Sequence, residues 1–187
     1  MIDPTHLPAN LPEPVDDGAC EHLNGLELPP IELLSTTGTV HSLHDVSSRW
    51  LVLYVHPRTG GPGVTLPEDW DLIPGARGCT PQSCAFRDHH AELQSLDATV
   101  WGLSAQPIEE QREFVDRMHI PFPLLNDSAL RLIEQPLRLP TFTVEGLTLY
   151  KRVTLIADEA RISRVFYPVF PPDRNASEVI DYLRSRS

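Results

Sequence analysis

A chain of 187 residues with 41% hydrophobic content can bury one core of ordinary size, so a single globular domain is expected. Its 15 Lys and Arg stand against 26 Asp and Glu, a formal charge of −11 that repels phosphate backbones and anionic headgroups and argues against nucleic acid and membrane as partners. No basic, apolar leader opens the sequence and no run of about eighteen apolar residues interrupts it, so a cytoplasmic address is expected. Three cysteines are too few for a disulfide framework, and in a reducing compartment a bridge between them would be transient and catalytic.

Residues 1–27, rich in Pro, Asp and Asn without an apolar period, read as an extended N-terminal arm, with the domain proper over 28–187. From Ile31 the sequence IELLSTTGTVHSL predicts two short strands around a Thr-Gly turn, and Trp50 to Val55 predicts a buried central strand. The Gly- and Pro-dense stretch after His56 and Pro57 excludes a regular element and predicts a long loop, a feature usually tied to function. A helix is then expected from Thr80, with Thr80 as cap and Pro81 at the first helical position, to about Leu96. The strand Thr99 to Ser104, a helix Glu109 to Met118 and a short helix Ser128 to Glu134 follow. The hairpin strands Val153 to Ala157 and Ile162 to Phe166 and a last helix Ala176 to Leu183 close the chain. This order predicts an α/β fold, a mixed sheet with helices on both faces.

The chemistry concentrates in GCTPQSC, where Cys79 sits at the junction of a loop and a helix N-terminus, facing unpaired N–H groups and the positive end of the dipole. Moving a thiol's ionisation by about two pH units takes ~2.7 kcal/mol, more than the ~0.3 to 1 kcal/mol a helix end supplies. A cation should therefore approach the sulfur, and an arginine fork suits that role. Arg87 lies eight residues along the helix, roughly 12 Å by helical rise, and reads as a structural ion-pair residue. Arg77 is close but sits on a Gly-flanked loop. Arg152 opens a strand at the end of the sheet where such sites assemble, and is favoured.

Cys20 lies beside Asp16, Asp17 and Glu21, whose charges suppress thiol reactivity, and reads as incidental to the arm. His89 and His90 with the two helix cysteines fit no usual zinc spacing, and neither a metal nor a cofactor is implied.

GCTPQSCAFRDHHAEL resembles the active-site helix of the Q-type peroxiredoxins, the bacterioferritin comigratory protein-like branch of the alkyl hydroperoxide reductase and thiol-specific antioxidant superfamily. The similarity continues through VWGLSA, FPLLND and RVTLIAD, from about residue 28 to the end. The resemblance implies a thioredoxin-like fold and a peroxidatic Cys79 that becomes a sulfenic acid on meeting hydrogen peroxide or an organic hydroperoxide. It also implies a resolving Cys84, Arg152 as the stabilising arginine, thioredoxin or a similar dithiol as reductant, and a monomer or weak homodimer. In an ideal helix the two cysteine Cα atoms stand about 8 to 9 Å apart, so such a disulfide requires the first turn to unwind.

The chain departs from the family's Pro-x-x-x-Thr-x-x-Cys, with Leu72 and Ala76 at the Pro and Thr positions. Pro57 and Thr59 follow the strand as the family's residues do, but about fifteen inserted residues, a length a surface loop tolerates, separate them from Cys79. Two rival expectations are a thioredoxin-fold thiol-disulfide oxidoreductase or redox sensor, which would normally carry Cys-x-x-Cys, and a non-catalytic binding module.

Overall fold

The computed structural model describes residues 7–134 and 136–186. The strands β1 (Glu32–Leu34) and β2 (Val40–Ser42) form the expected antiparallel pair, with Gly38 in the left-handed turn between them. The central sheet is built on β3 (Trp50–Val55), whose six residues are all buried. It pairs in parallel with β4 (Ala98–Ser104), which pairs in parallel with β5 (Leu124–Asn126). A hairpin, β6 (Thr141–Val144) and β7 (Leu147–Tyr150), lies apart from that sheet. On its other side β3 pairs antiparallel with β8 (Val153–Asp158), itself antiparallel to β9 (Arg161–Phe166). The order β5-β4-β3-β8-β9 is a mixed sheet.

Because successive side chains leave a strand on opposite faces, the unbroken apolar run of β3 serves two cores. Trp50, Val52 and Tyr54 meet the helices α1 (Cys79–Asp88), α2 (His90–Ser95), α3 (Ile108–Met118) and α4 (Asn175–Arg184) through Phe86, Leu93, Phe114 and Val179. Leu51, Leu53 and Val55 meet Leu33, Leu125, Tyr150 and, from before residue 28, Cys20 and Leu23. The four α-helices thus cover one face, while 3-10 turns and two hairpins cover the other. The boundary expected at residue 28 falls inside this second core. A third, small cluster joins Trp70 and Ala76 of the long loop to Leu149 of β7, with Trp70 and Phe142 ring centroids 6.2 Å apart.

Several expected bounds shift. The helix after the loop begins one residue early and is capped by Gly78, with no side-chain cap, so Thr80 and Pro81 are its second and third residues. Pro is tolerated there because the first-turn N–H groups have no intrahelical acceptor. The helix expected to run to Leu96 is broken at His89 (φ −100°, ψ 6°) into α1 and α2. The helix expected over Ser128 to Glu134 is a single 3-10 turn, Arg131–Ile133, and the loop after Pro57 carries another at Trp70–Leu72.

Candidate active site

The site forms where β3 ends, the long loop returns and α1 starts. Register brings Val153 beside Val55, so Arg152, one residue before β8, emerges next to His56 and the loop that leads to Cys79. Cys79 is the first residue of α1 and only 2% exposed. Its Sγ receives a hydrogen bond from Arg152 Nη2 at 3.3 Å, and its thiol can donate to the Ala76 carbonyl at 3.6 Å. The same Nη2 also donates to the carbonyls of Gly75, Ala76 and Arg77 at 3.3, 3.2 and 3.1 Å, while Nη1 donates to Gln82 Oε1 at 2.5 Å. The guanidinium is 3% exposed as part of its residue, and every one of these partners is uncharged unless the sulfur ionises.

Opposite unit charges about 4 Å apart attract by ~4 kcal/mol at the effective dielectric of ~20 that suits protein sites. That exceeds the ~0.3 to 1 kcal/mol of the helix end, so of the two positive influences at the Cys79 sulfur the Arg152 contact is the larger. The closeness of the loop to α1 depends on Gly78, whose φ of +107° is disfavoured for an L-residue. An added Cβ would lie 2.3 Å from Pro172 Cγ and 3.0 Å from Leu7 Cδ2.

Cys84 lies on the same helix, 6% exposed, and no disulfide joins Cys79, Cys84 and Cys20. Between the helix cysteines Ser83 accepts a hydrogen bond from the Tyr54 hydroxyl at 3.1 Å, and burial pushes the ionisation of that hydroxyl upward. His56, fully buried, is held neutral by burial and by Arg152, its pKa pushed down to about 3. Cys20 is driven the other way, to about 12, by burial and by Asp17 and Asp16.

A cavity of about 650 Å³ opens beside Cys79. It is lined by Gly60, Gly61, Val64, Leu66 and Trp70 of the loop and by Thr80 and Pro81 of α1, with Arg58, Arg77 and Arg117 also on its wall. The inserted loop therefore folds back to wall the space a substrate would enter. Thr59 itself is buried and bonded elsewhere: its N–H and hydroxyl both donate to Gln106 Oε1, at 2.7 and 3.1 Å, and Gln106 Nε2 donates to its carbonyl at 3.1 Å. The Pro57 carbonyl accepts from the Ser104 hydroxyl at 3.0 Å. Cys79, Cys84 and Arg152 are brought together. Thr59 and Pro57 support the start of the loop, and neither lines the cavity. Arg87 ion-pairs with Asp88 at 2.8 Å and caps the Met118 carbonyl, and Arg77 ion-pairs with Asp71 at 3.0 Å.

Residues 72–162 match the AhpC/TSA family model. Peroxiredoxin Bcp of Bacillus subtilis (strain 168) is 32% identical over 110 residues, 59% of this chain and 60% of that protein. Peroxiredoxin bcp1 of Schizosaccharomyces pombe is 30% identical over 137 residues, 72% of this chain and 63% of that protein. The chain thus spans a little under two thirds of each of these curated relatives. The crystal structure of peroxidoxin BcpB from Mycobacterium tuberculosis shares the fold, with a TM-score of 0.70, 24% identity and coverage of 88% of this chain and 97% of that one. Over residues 72–162 the chain is thus similar to the AhpC/TSA family, and it resembles the Bcp, or Q-type, peroxiredoxins.

Proposed function

We propose that this protein is a thiol-dependent peroxidase in which Cys79 is the attacking thiol, Cys84 the resolving thiol and Arg152 the cation that stabilises the reacting sulfur. The carrying observation is the Arg152 Nη2 contact to Cys79 Sγ at 3.3 Å within a buried site where, among the described residues, no hydrogen-bond acceptor of Arg152 is a carboxylate.

The Cys79 thiolate attacks the distal oxygen of a hydroperoxide; the O–O bond breaks, leaving a sulfenic acid on Cys79 and an alkoxide or hydroxide that takes a proton. The Cys84 thiol then attacks the sulfenic sulfur, the S–S bond forms and water leaves. Both cysteines sit in α1, where ideal geometry separates their Cα atoms by about 8 to 9 Å, beyond the ~7 Å a disulfide spans, so resolution requires the start of α1 to unwind. A dithiol reductant such as thioredoxin returns the disulfide to two thiols, in a reducing compartment such as the cytoplasm, with the protein as a monomer or weak homodimer. Both hydrogen peroxide and organic hydroperoxides are compatible with the cavity beside Cys79.

Peroxide consumption coupled to thioredoxin tests the reading. Wild type is expected to turn over, Cys79→Ser to be inactive, and Cys84→Ser to form sulfenic acid that overoxidises or needs glutathione. Undiminished consumption by Cys79→Ser would refute it.

A further inference from the structure

Among the described residues, 7–17 make no backbone hydrogen bond to the rest of the chain, yet they take a defined course across the site. The arm leaves the core at Cys20 and Leu23, both buried. Asp17 then accepts from Lys151 Nζ at 2.6 Å and from the Tyr167 hydroxyl at 2.7 Å, and Lys151 is the residue before Arg152. Pro14 lies on Gly75, where an added Cβ would stand 3.4 Å from the proline Cβ, and Leu7 lies on Gly78, where one would stand 3.0 Å from the leucine Cδ2. Between those two glycines runs the strip whose carbonyls, at Gly75, Ala76 and Arg77, accept from Arg152, and Cys79 follows it directly. The guanidinium and the arm thus hold the same strip.

The hold of the arm is light. Pro14 and Val15 leave a cavity of about 250 Å³ between themselves and Ile73, Pro74 and Arg152, and the Asp17 ion pair is partly exposed. Pro8, Pro12 and Pro14 lack an N–H and stiffen the segment, so it can lie on the surface without a ladder. Resting on the assignment of Cys79 and Cys84 as attacking and resolving thiols, we propose that residues 7–17 are a strap that keeps the strip 75–79 folded and so sets how often the first turn of α1 opens for disulfide formation. Unwinding carries Gly78 and Cys79 from their places, so the contacts of Leu7 and Pro14 act on the folded arrangement and not on the opened one. Attack on peroxide takes place in the folded arrangement. While the opened form stays a minor fraction, loosening the strap speeds the disulfide step and leaves the peroxide step untouched.

The test compares the full-length chain with a Leu7→Ser, Pro14→Ser double variant and with Asp17→Asn. Hydrogen exchange over residues 76–83 needs no peroxide, so it reports on the strap even if the peroxidase reading fails. In the double variant that exchange is expected to quicken about fivefold, with exchange in β3 and β8 unchanged, and Asp17→Asn, which frees the root of the arm, should move it the same way. In single-turnover stopped flow the Cys79 to Cys84 disulfide should form faster by a similar factor and overoxidation by excess peroxide should fall, while the peroxide rate constant stays within about twofold. Unchanged exchange over 76–83 in both variants would overturn the proposal. So would exchange that quickens equally in β3 and β8, because the arm would then stabilise the whole domain, or a disulfide step of wild-type rate beside quickened exchange. Quickened local exchange in a chain whose Cys79 does not react with peroxide would support the strap and remove the peroxidase reading instead. If the double variant fails to fold, Asp17→Asn, a change of one atom on an exposed side chain, decides by the same measurements.

Discussion

Gly78→Ala places a methyl group at the hinge between the long loop and α1. The backbone there has φ +107°, which costs an L-residue ~1–2 kcal/mol. The new Cβ would also stand 2.3 Å from Pro172 Cγ, 3.3 Å from Pro172 Cβ and 3.0 Å from Leu7 Cδ2, and overpacking of that kind costs ~1–3 kcal/mol. The combined strain is about 2 to 5 kcal/mol. Unwinding the first turn of α1 carries Gly78 away from Pro172 and relieves most of it, so the strain should favour the opened segment over global unfolding. Even ~2 kcal/mol multiplies an opened population about 30-fold. Hydrogen exchange at residues 78–84 should therefore accelerate by at least that factor. After a peroxide pulse followed by stopped flow, the Cys79 to Cys84 disulfide should form faster while the peroxide step slows, because Arg152 loses its hold on Cys79. Unchanged exchange over 78–84 with a melting temperature that falls by the full amount would show that the strain is borne by the whole domain, refuting the reasoning.

Further outcomes follow from other parts of the molecule. Arg152→Met should lower the peroxide rate constant by about 100-fold or more, given ~4 kcal/mol of attraction at stake, and stopped-flow measurement with hydrogen peroxide would detect a smaller loss. Replacing residues 60–76 by a short linker should change the relative rates with hydrogen peroxide and bulky hydroperoxides, since this loop walls the cavity beside Cys79; identical kinetics across that series would count against the role. His56 stays neutral in the folded protein down to about pH 3 but takes up a proton near its ordinary value when unfolded, so its contribution to stability declines as pH falls from about 6.5 toward 3. His56→Phe should flatten that part of the stability curve, measurable as melting temperature against pH. The carboxyl of Asp17 is held down at about 2 by its hydrogen bonds to Lys151 and Tyr167, so its hold on the arm is complete above about pH 4 and is lost toward pH 2. Limited proteolysis of the arm should rise in Asp17→Asn at neutral pH.

Much of this architecture is legible in local pattern. The apolar run Trp50 to Val55 could only be a strand buried on both faces, and GCTPQSC carries its own helix start. Arg152 is legible because a thiolate needs more stabilisation than a helix end provides. The sequence reading expects no element over Thr141–Tyr150, although TFTVEGLTLY alternates around Glu-Gly, with both turn residues at positive φ. Three-residue β5 is too short to show a period. The hydrogen bonds among Gln82, Asn175 and Thr154 are not legible in the sequence, because Gln82 and Asn175 are 93 positions apart and only the stacking of α1, α4 and β8 joins them. Nor does any Gly or Pro announce the break at His89.

That break sets how far motion can travel. Helical hydrogen bonds melt cooperatively along an uninterrupted ladder, and a single helix from Cys79 to Leu96 would tie the resolving step to the Leu93 anchor in the core. With the ladder interrupted at His89, the ten residues of α1 form a separate segment while α2 stays seated. A rearrangement of the kind proposed about Cys79 can thus take place without loosening the core that restores it.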